Sequence, residues 1–185
     1  MVMATATHWT ADMVRALPDD GNRYEVVDGV LLVTPSPAGR HQMAITWLFG
    51  ALWDYLGPLG RRNTLVMSPA DISWAPDVLT QPDLFVMARP MAHGWPEVKD
   101  LLLAIEVLSP GSQRADRVIK RQTYQKYGVA TYWVVDHEAA RVEVWHPGDP
   151  AAEIVTGTLS WQASPEAPSL VIDLPALFAR LPGPA

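Results

Sequence analysis

Residues 101–136 constrain the fold more than any other part of this 185-residue chain. They begin with the apolar run "LLLAIEVL", continue through turn residues into a helical pattern, "SPGSQRADRVIKRQTYQKYG", and end with the β-branched run "TYWVVD". Near-continuous apolar runs are typical of strands buried on both faces. Because a strand–helix–strand unit favours a parallel crossover, the segment predicts two parallel strands with a helix packed on their sheet.

The region before this unit predicts two helices and several short strands. "WTADMVRALPDD" is typical of a short helix capped by Thr10 and ended by Pro18, and "RYEVVDGVLLVTP" of a hairpin turning at Asp28-Gly29. Apolar residues recur at helical spacing over residues 38–56, and the strand-like pieces "NTLVM", "DISWA" and "DLFVMA" follow. Consecutive strands joined by short loops favour antiparallel pairing, so the predicted sheet is mixed.

The C-terminal part predicts further strands. "RVEVW" is expected to pair with "TYWVVD" across "HEAA", and "SLVIDLPALFARLP" to form a strand and a short helix. The predicted fold class is α/β (α+β): a mixed β-sheet flanked by helices, with the core order helix-strand-strand-strand-helix-strand. We expect one domain over residues 1–185, divided into an N-terminal helix and hairpin (9–36), a core (38–136) and C-terminal strands with a short helix (137–185).

Composition excludes several classes of protein. The chain is 49% hydrophobic and 18% charged, as is ordinary for a soluble globular protein. Zero cysteines exclude disulfides and thiolate metal sites, and the five histidines lack the spacing of a zinc site. We expect no membrane association and a cytoplasmic location, because the sequence has no long uncharged apolar run and no pattern typical of a secretory signal.

One carboxylate, Glu106, lies within the apolar run "LLLAIEVLSP". An unpaired carboxylate in a buried strand costs several kcal/mol or shifts its pKa until it is neutral, so a basic side chain, a hydrogen-bond donor or a metal ion is expected beside it. Asp83 opens the preceding strand, "QPDLFVMA". If the two strands pair antiparallel, both carboxylates lie at the same edge of the sheet. Two carboxylates converging near a carbonyl form a hard oxygen site that suits Mg²⁺ or Mn²⁺.

The helix predicted after Glu106 carries Asp116, Lys120 and Tyr124 at four-residue spacing, so these side chains share a face. A lysine that lies next to the carboxylates can orient a metal-bound water or stabilise the negative charge that develops on a phosphate. The same stretch is basic although the whole chain has a net charge of −6. Contacts with DNA phosphates are expected from Arg114, Arg117, Arg121 and Lys126.

The order of these motifs resembles a known group of enzymes. "PD" on one strand, "E-V" on the next and a later lysine are similar to the PD-(D/E)xK nuclease superfamily. "YEVVDGVLLVTPSP", "QPDLFV", "EVLSP", "D-x-x-x-K-x-x-x-Y" and "YGVATYWVVD" resemble the Uma-two family of predicted restriction endonucleases, over about residues 9–180. The resemblance implies a restriction-endonuclease-like fold and a Mg²⁺- or Mn²⁺-dependent endonuclease that hydrolyses DNA phosphodiester bonds with a metal-activated water.

The resemblance also assigns roles to residues. It implies that Asp83 and Glu106 bind the metal ion through their carboxylates and that Val107 binds it through its backbone carbonyl. It also implies that Lys120 is the catalytic lysine. The superfamily usually places this lysine two residues after the glutamate, where this sequence has Leu108, so Lys120 replaces it from the helix.

A second departure concerns the glutamate that the superfamily often carries on its first core helix. The chain offers only His41, Gln42 and Asp54 on that helix, and Glu25 of the hairpin is the substitute. The additional candidate site residues are Glu25, His41, Asp116 and Tyr124.

Simpler interpretations stay open. Glu106 alone is compatible with a buried salt bridge, and Asp116 with Lys120 is compatible with an ordinary helical ion pair. His41 fits a hydrogen-bonded core histidine, and Tyr124 fits a structural role. The alternatives to an endonuclease are a catalytically silent nucleic-acid-binding or interaction module and a glycosidase with two carboxylates. An enzyme that cuts both DNA strands needs two active sites, which is compatible with a C2 homodimer.

Overall fold

The computed structural model describes residues 8–35, 39–91 and 98–183. Its helices are α1 (Ala11–Arg15), α2 (Gly39–Leu56), a short 3₁₀ turn (Arg62–Thr64), α3, in which the π-helical segment Ala115–Lys120 continues into Arg121–Lys126, and α4 (Leu174–Phe178). Its strands are β1 (Arg23–Val27), β2 (Val30–Thr34), β3 (Leu65–Met67), β4 (Ile72–Ala75), β5 (Val78–Thr80), β6 (Leu84–Met87), β7 (Leu101–Val107), β8 (Tyr132–Asp136), β9 (Arg141–Trp145), β10 (Glu153–Val155), β11 (Thr158–Trp161) and β12 (Leu170–Asp173).

A six-stranded sheet in the order β10-β9-β8-β7-β6-β3 forms the centre of the described chain. β7 and β8 pair in parallel, with Ala104 opposite Tyr132, and α3 makes the crossover between them. The other neighbours in this sheet pair antiparallel. The mixed sheet and the crossover over residues 101–136 are thus confirmed.

Both faces of the central sheet are covered, which explains the near-continuous apolar run of β7. One face packs against α2, α4 and the β11–β12 hairpin, with Leu48, Leu52 and Trp133 in its core. The opposite face packs against α3, with Phe85 and Tyr124 among its buried side chains. A strand between two apolar layers has no solvent-facing side on which polar residues would alternate.

A second sheet, β2-β1-β5-β4, is built around the predicted hairpin. The hairpin turns at Asp28 and Gly29, whose φ angles of 47° and 78° are those of a two-residue turn that matches the twist of the strands. α1 packs on this sheet through Ala11 and Val14, and its N-cap Thr10 accepts a hydrogen bond from the Met13 amide. This N-terminal layer supplies one wall of the site described below.

Several elements differ from the sequence-based expectation. β5, β10 and β11 were not predicted, because each has only three or four residues and, unlike the equally short but wholly apolar β3 and β6, contains a polar residue. "DISWA" does form a strand, β4, but it pairs with β5 in the second sheet. The C-cap of α3 is Tyr127, and Gly128 follows it with a φ of +72°. Ser36 and Ala38, which bound two predicted segments, lie outside the described residues.

None of the helices within the described ranges is long and apolar enough to cross a membrane.

Candidate active site

Asp83 and Glu106 lie on adjacent strands at one edge of the central sheet. Leu84 of β6 stands opposite Ile105 of β7, which brings the residue before Leu84 beside the residue after Ile105. The antiparallel pairing that the sequence predicted is therefore present. Both carboxylates are buried, and Asp83 Oδ2 accepts a hydrogen bond from the Val107 amide at 2.8 Å.

Lys120 is the centre of the ion pairs in this site. Its Nζ lies 2.7 Å from Glu25 Oε2, 3.0 Å from Glu106 Oε1 and 3.3 Å from Asp116 Oδ1. The residue is only 1% exposed. One ammonium group therefore connects the N-terminal layer, the central strand β7 and helix α3.

Two tyrosines complete the contacts of α3 with the sheet. The Tyr124 hydroxyl donates to Glu106 Oε1 at 2.8 Å, and the Tyr132 hydroxyl donates to the Asp116 backbone carbonyl at 3.0 Å. The helical face that the sequence predicted, with Asp116, Lys120 and Tyr124, does meet the carboxylates. It lies where the π-helical segment passes into α-helix, and π-helical turns are frequent at functional sites.

Arg23 is a site residue that the sequence reasoning missed. One guanidinium nitrogen lies 2.7 Å from Asp83 Oδ1 and also donates to the Gln81 carbonyl at 3.2 Å. His41 Nε2 lies 3.3 Å from Asp83 Oδ2. The period of two in a strand could have found Arg23, because it stands two residues before Glu25 and hence on the same face of β1.

Burial and neighbouring charges separate the pKa values of the carboxyl groups. Burial raises the pKa of Asp83, but the hydrogen bond with His41 and the charge of Arg23 outweigh it and lower that pKa to about 2. Burial raises the pKa of Glu106 well above its usual value, and the opposing charge of Lys120 does not cancel this. Burial likewise raises the pKa of Asp116. The Lys120 pKa is raised, because the carboxylates around its ammonium outweigh the effect of burial.

The charges of the cluster do not balance. Two cations contact four carboxyl groups in this cluster. The cations are Arg23 and Lys120, and the carboxyl groups belong to Glu25, Asp83, Glu106 and Asp116. If all four carboxyl groups are ionised, the cluster carries a net charge of −2. In addition, Glu106 Oε2 is buried and makes no hydrogen bond within the described structure. The site thus combines an excess of negative charge with an oxygen that is free to accept a partner.

A cleft of about 730 Å³ opens beside this cluster. Asp83, Arg23 and His41 line it, together with side chains from α1, the hairpin, α2 and the loop after β7. Glu106 and Lys120 do not line it and lie behind Asp83. Asp83 is therefore the carboxylate of this cluster that lines the cleft.

Comparison with known proteins identifies the family. The profile of the Uma2 family, described as "putative restriction endonuclease", matches residues 11–175. The chain belongs to the Uma2 family. A similar solved structure, with a TM-score of 0.75 and 19% identity, covers 92% of this chain and 98% of its own; it is described as a putative nuclease belonging to DUF820 from Anabaena variabilis ATCC 29413. No curated protein matches the chain. The restriction-endonuclease-like fold that the sequence predicted is confirmed.

The four basic residues expected to bind DNA do not line the cleft of this Uma2 chain within its described part. Arg117 pairs with Asp136 at 2.6 Å and with Glu143 at 2.7 Å, so its guanidinium ties α3 to β8 and β9. Arg121 lies over the Trp145 ring at 4.9 Å. Arg114 is exposed, and Lys126 forms an exposed ion pair with Asp28. The phosphate contacts of Arg114, Arg121 and Lys126 stay a prediction, whereas the carboxylates around Arg117 favour a structural role for that residue.

Replacing Arg117 by Gln is expected to lower the unfolding free energy by about 1–3 kcal/mol, because two part-buried carboxylates lose a charged hydrogen-bond donor. The dependence of DNA affinity on salt should not change, since this guanidinium is already occupied. Arg114→Gln is the matched variant, and it should flatten the slope of log affinity against log salt by roughly 0.7–0.9. Chemical denaturation and DNA titrations at several salt concentrations measure both effects; a flattened slope in Arg117→Gln contradicts the structural role.

Proposed function

We propose that this chain is a metal-dependent endonuclease that hydrolyses DNA phosphodiester bonds in the cytoplasm. The observation that carries the proposal is the cluster itself: Asp83 and Glu106 converge on adjacent strands beside Lys120, and the excess charge is negative. Asp83, Glu106 and Lys120 have the metal-binding and catalytic roles that the resemblance implies. Family membership and the shared fold support this reading, since both point to nucleases.

The residues fit Mg²⁺ or Mn²⁺. A divalent cation neutralises the charge of −2 that the fully ionised cluster carries; its binding displaces the proton that burial favours on Glu106, whose unpaired Oε2 then supplies a hard ligand. No group of three His, Cys, Asp or Glu side chains is arranged to hold a metal ion among the residues that the structure describes. Mg²⁺ does not require one, because it usually keeps several waters and binds one or two carboxylates together with substrate phosphates. Asp83, Glu106 and the Val107 carbonyl are the proposed ligands.

The surrounding residues fix the geometry of the proposed reaction. When bound, the metal ion supplies a water of lowered pKa and neutralises charge on the phosphate oxygens. Arg23, His41 and the Val107 amide hold Asp83 in one orientation, and Tyr124 holds Glu106. The Lys120 ammonium adds a fixed positive charge next to Glu106, where it stabilises negative charge developing in the transition state.

A catalytically silent nucleic-acid-binding module on the same fold is the second candidate. It is favoured by one observation: Arg23 and Lys120 already contact the two carboxylates and partly neutralise them. Such a module binds DNA equally well with and without a divalent ion and leaves the DNA intact.

Incubation of the purified protein with supercoiled plasmid tests the proposal. Nicked or linear product is expected in Mg²⁺ or Mn²⁺ and none in EDTA, and Glu106→Gln, purified in the same way, controls for contaminating nucleases. If wild type and Glu106→Gln cut equally, the activity does not belong to this site; intact plasmid in every metal leaves the silent module. Direct conversion of supercoiled to linear DNA, together with a dimeric mass in solution, would support a C2 homodimer.

A further inference from the structure

The N-terminal layer covers the candidate catalytic centre. Glu25 of β1 is completely buried, contacts Lys120 with Oε2, and accepts a hydrogen bond from the Gln81 amide with Oε1 at 2.7 Å. Glu106 and Lys120, beneath it, are each 1% exposed. The second sheet therefore covers Glu106 and Lys120, and within the described part of the chain the cleft beside Asp83 is the opening next to the cluster.

The dimensions of that cleft limit what can enter. Its volume of about 730 Å³ falls in the range of pockets for small molecules, roughly 300–1,000 Å³. This is room for one or two nucleotides. A matched duplex keeps its bases paired and stacked inside the helix, whereas an unpaired nucleotide can leave the stack at a cost of only a few kcal/mol.

The lining has the chemistry of a nucleotide site. Arg23 stands beside Asp83 and, unlike Arg117, uses a single guanidinium nitrogen for its hydrogen bonds to Asp83 and to the Gln81 carbonyl, so the rest of the group can contact a phosphate. Tyr24 follows Arg23 at the start of β1, where both line the cleft; its ring is half-buried on the α1 side of the strand, and its hydroxyl donates to Asp20 at 2.7 Å, which fixes the ring so that its exposed part can stack on a base. Gln42 and Asn22, both exposed, bring amide groups that can hydrogen-bond to base edges.

We infer that the cleft binds an unpaired nucleotide of a DNA strand and places the phosphate of that nucleotide next to Asp83. The inference rests on the proposed function and names its substrate class: single-stranded DNA, or duplex DNA with a bulged or mismatched nucleotide. The base stacks on Tyr24, and the phosphate reaches Arg23 at the floor of the cleft. Matched duplex is a poor substrate because its nucleotides do not enter.

Binding in EDTA tests the inference without relying on catalysis. Fluorescence anisotropy with labelled oligonucleotides is expected to give at least tenfold tighter binding of single strands and of a duplex with one bulged nucleotide than of the matched duplex. In Mg²⁺ or Mn²⁺, cleavage should fall at or next to the bulge. Equal or tighter binding of the matched duplex overturns the inference. Selective binding without cleavage of any substrate would instead support the cleft and overturn the endonuclease.

Two tyrosine variants locate the binding site. Tyr24→Leu is expected to weaken single-strand binding by roughly 5- to 150-fold, the usual effect of losing one base–aromatic stack. Tyr127→Leu is the matched control, because Tyr127 stacks on Trp74 and does not line the cleft. Gln42→Glu places a negative charge in the cleft from the exposed surface of α2, so it should repel the phosphates and also weaken binding, whether or not Tyr24→Leu folds. Unchanged affinity in Gln42→Glu, or equal losses in the two tyrosine variants, overturns the assignment.

Discussion

Replacing Lys120 by Met is expected to lower the unfolding free energy by about 3–5 kcal/mol and cleavage by roughly 10²- to 10⁴-fold. The ammonium contacts Glu25, Glu106 and Asp116, and all three carboxylates are buried. Without the ammonium, the three carboxyl groups lie close together and lose the cation that they share. Leaving even one buried charge without its partner lowers the unfolding free energy by about 3–5 kcal/mol. Chemical denaturation in EDTA measures the first effect. Cleavage of DNA in Mg²⁺, at a temperature where circular dichroism shows the variant folded, measures the second.

Lys126→Met is the matched control for this prediction. Lys126 lies on the same helix, but its side chain is 55% exposed and forms a single ion pair with Asp28. Exposed pairs contribute about 0–1 kcal/mol, so this variant should keep its stability. Adding Glu25→Gln to Lys120→Met removes one repelling charge and should recover part of the lost stability but none of the cleavage. If Lys120→Met is as stable as Lys126→Met, the buried ion pairs do not hold this site together. Cleavage within a factor of two of wild type removes Lys120 from catalysis.

The fold could be predicted from sequence where patterns were long. The eight-residue run "LLLAIEVL", the 18-residue helix α2 and the crossover between β7 and β8 each carry enough residues to show a period or its absence. β5 has only three residues, all of them buried, so it shows no alternation between apolar and polar positions. Its pairing with β1 makes the second sheet, and this sheet is therefore the part of the architecture that single-sequence reasoning did not find.

The candidate site was predicted as a list of residues, but not as a network. The spacing of Asp116, Lys120 and Tyr124 on one helical face was visible in the sequence, because it depends on local geometry alone. The contact of Lys120 with Glu25 depends on how the N-terminal layer packs on the core, and no local pattern determines that. The alternation of β1 places Arg23 on the same face as Glu25, but its pairing with Asp83, 60 residues away along the chain, has no local signal.

The network also shows that Asp83 and Glu106 are not equivalent, although the sequence treats them as one pair of carboxylates. Asp83 accepts hydrogen bonds from Arg23 and the Val107 amide, so its ionised form is stabilised. Glu106 is fully buried, lies near other carboxylates and has one oxygen without a partner in the described structure; burial is the main reason why its ionised form is disfavoured, although Lys120 opposes it. The two positions should therefore respond differently when each is neutralised in the metal-free protein.

Asp83→Asn is expected to lower the unfolding free energy of the metal-free protein by roughly 2–5 kcal/mol at neutral pH. The pKa of Asp83 is about 2 in the folded protein and 3.8 without perturbation. A lowered pKa stabilises the fold above the unperturbed value, and this stabilisation is lost as the pH falls from about 4 to about 2. The stability difference between wild type and Asp83→Asn should therefore shrink over that interval. The loss also contains the cost of leaving the Arg23 guanidinium without its carboxylate.

Glu106→Gln is expected to change the metal-free stability by less than about 1 kcal/mol, or to raise it, because Gln resembles the uncharged carboxyl group that burial favours. Both variants should abolish cleavage, and Mg²⁺ or Mn²⁺ at about 100 times the Kd should stabilise wild type by about 2.7 kcal/mol and either variant by less. Denaturation in EDTA and in metal, at neutral and acidic pH, measures the stability effects, and plasmid cleavage in Mg²⁺ or Mn²⁺ measures the loss of activity. A Glu106→Gln variant as unstable as Asp83→Asn, with no stabilisation of wild type by metal, would make Glu106 a structural partner of Lys120. The endonuclease proposal would then fail, because its metal ion would keep only one carboxylate ligand, Asp83.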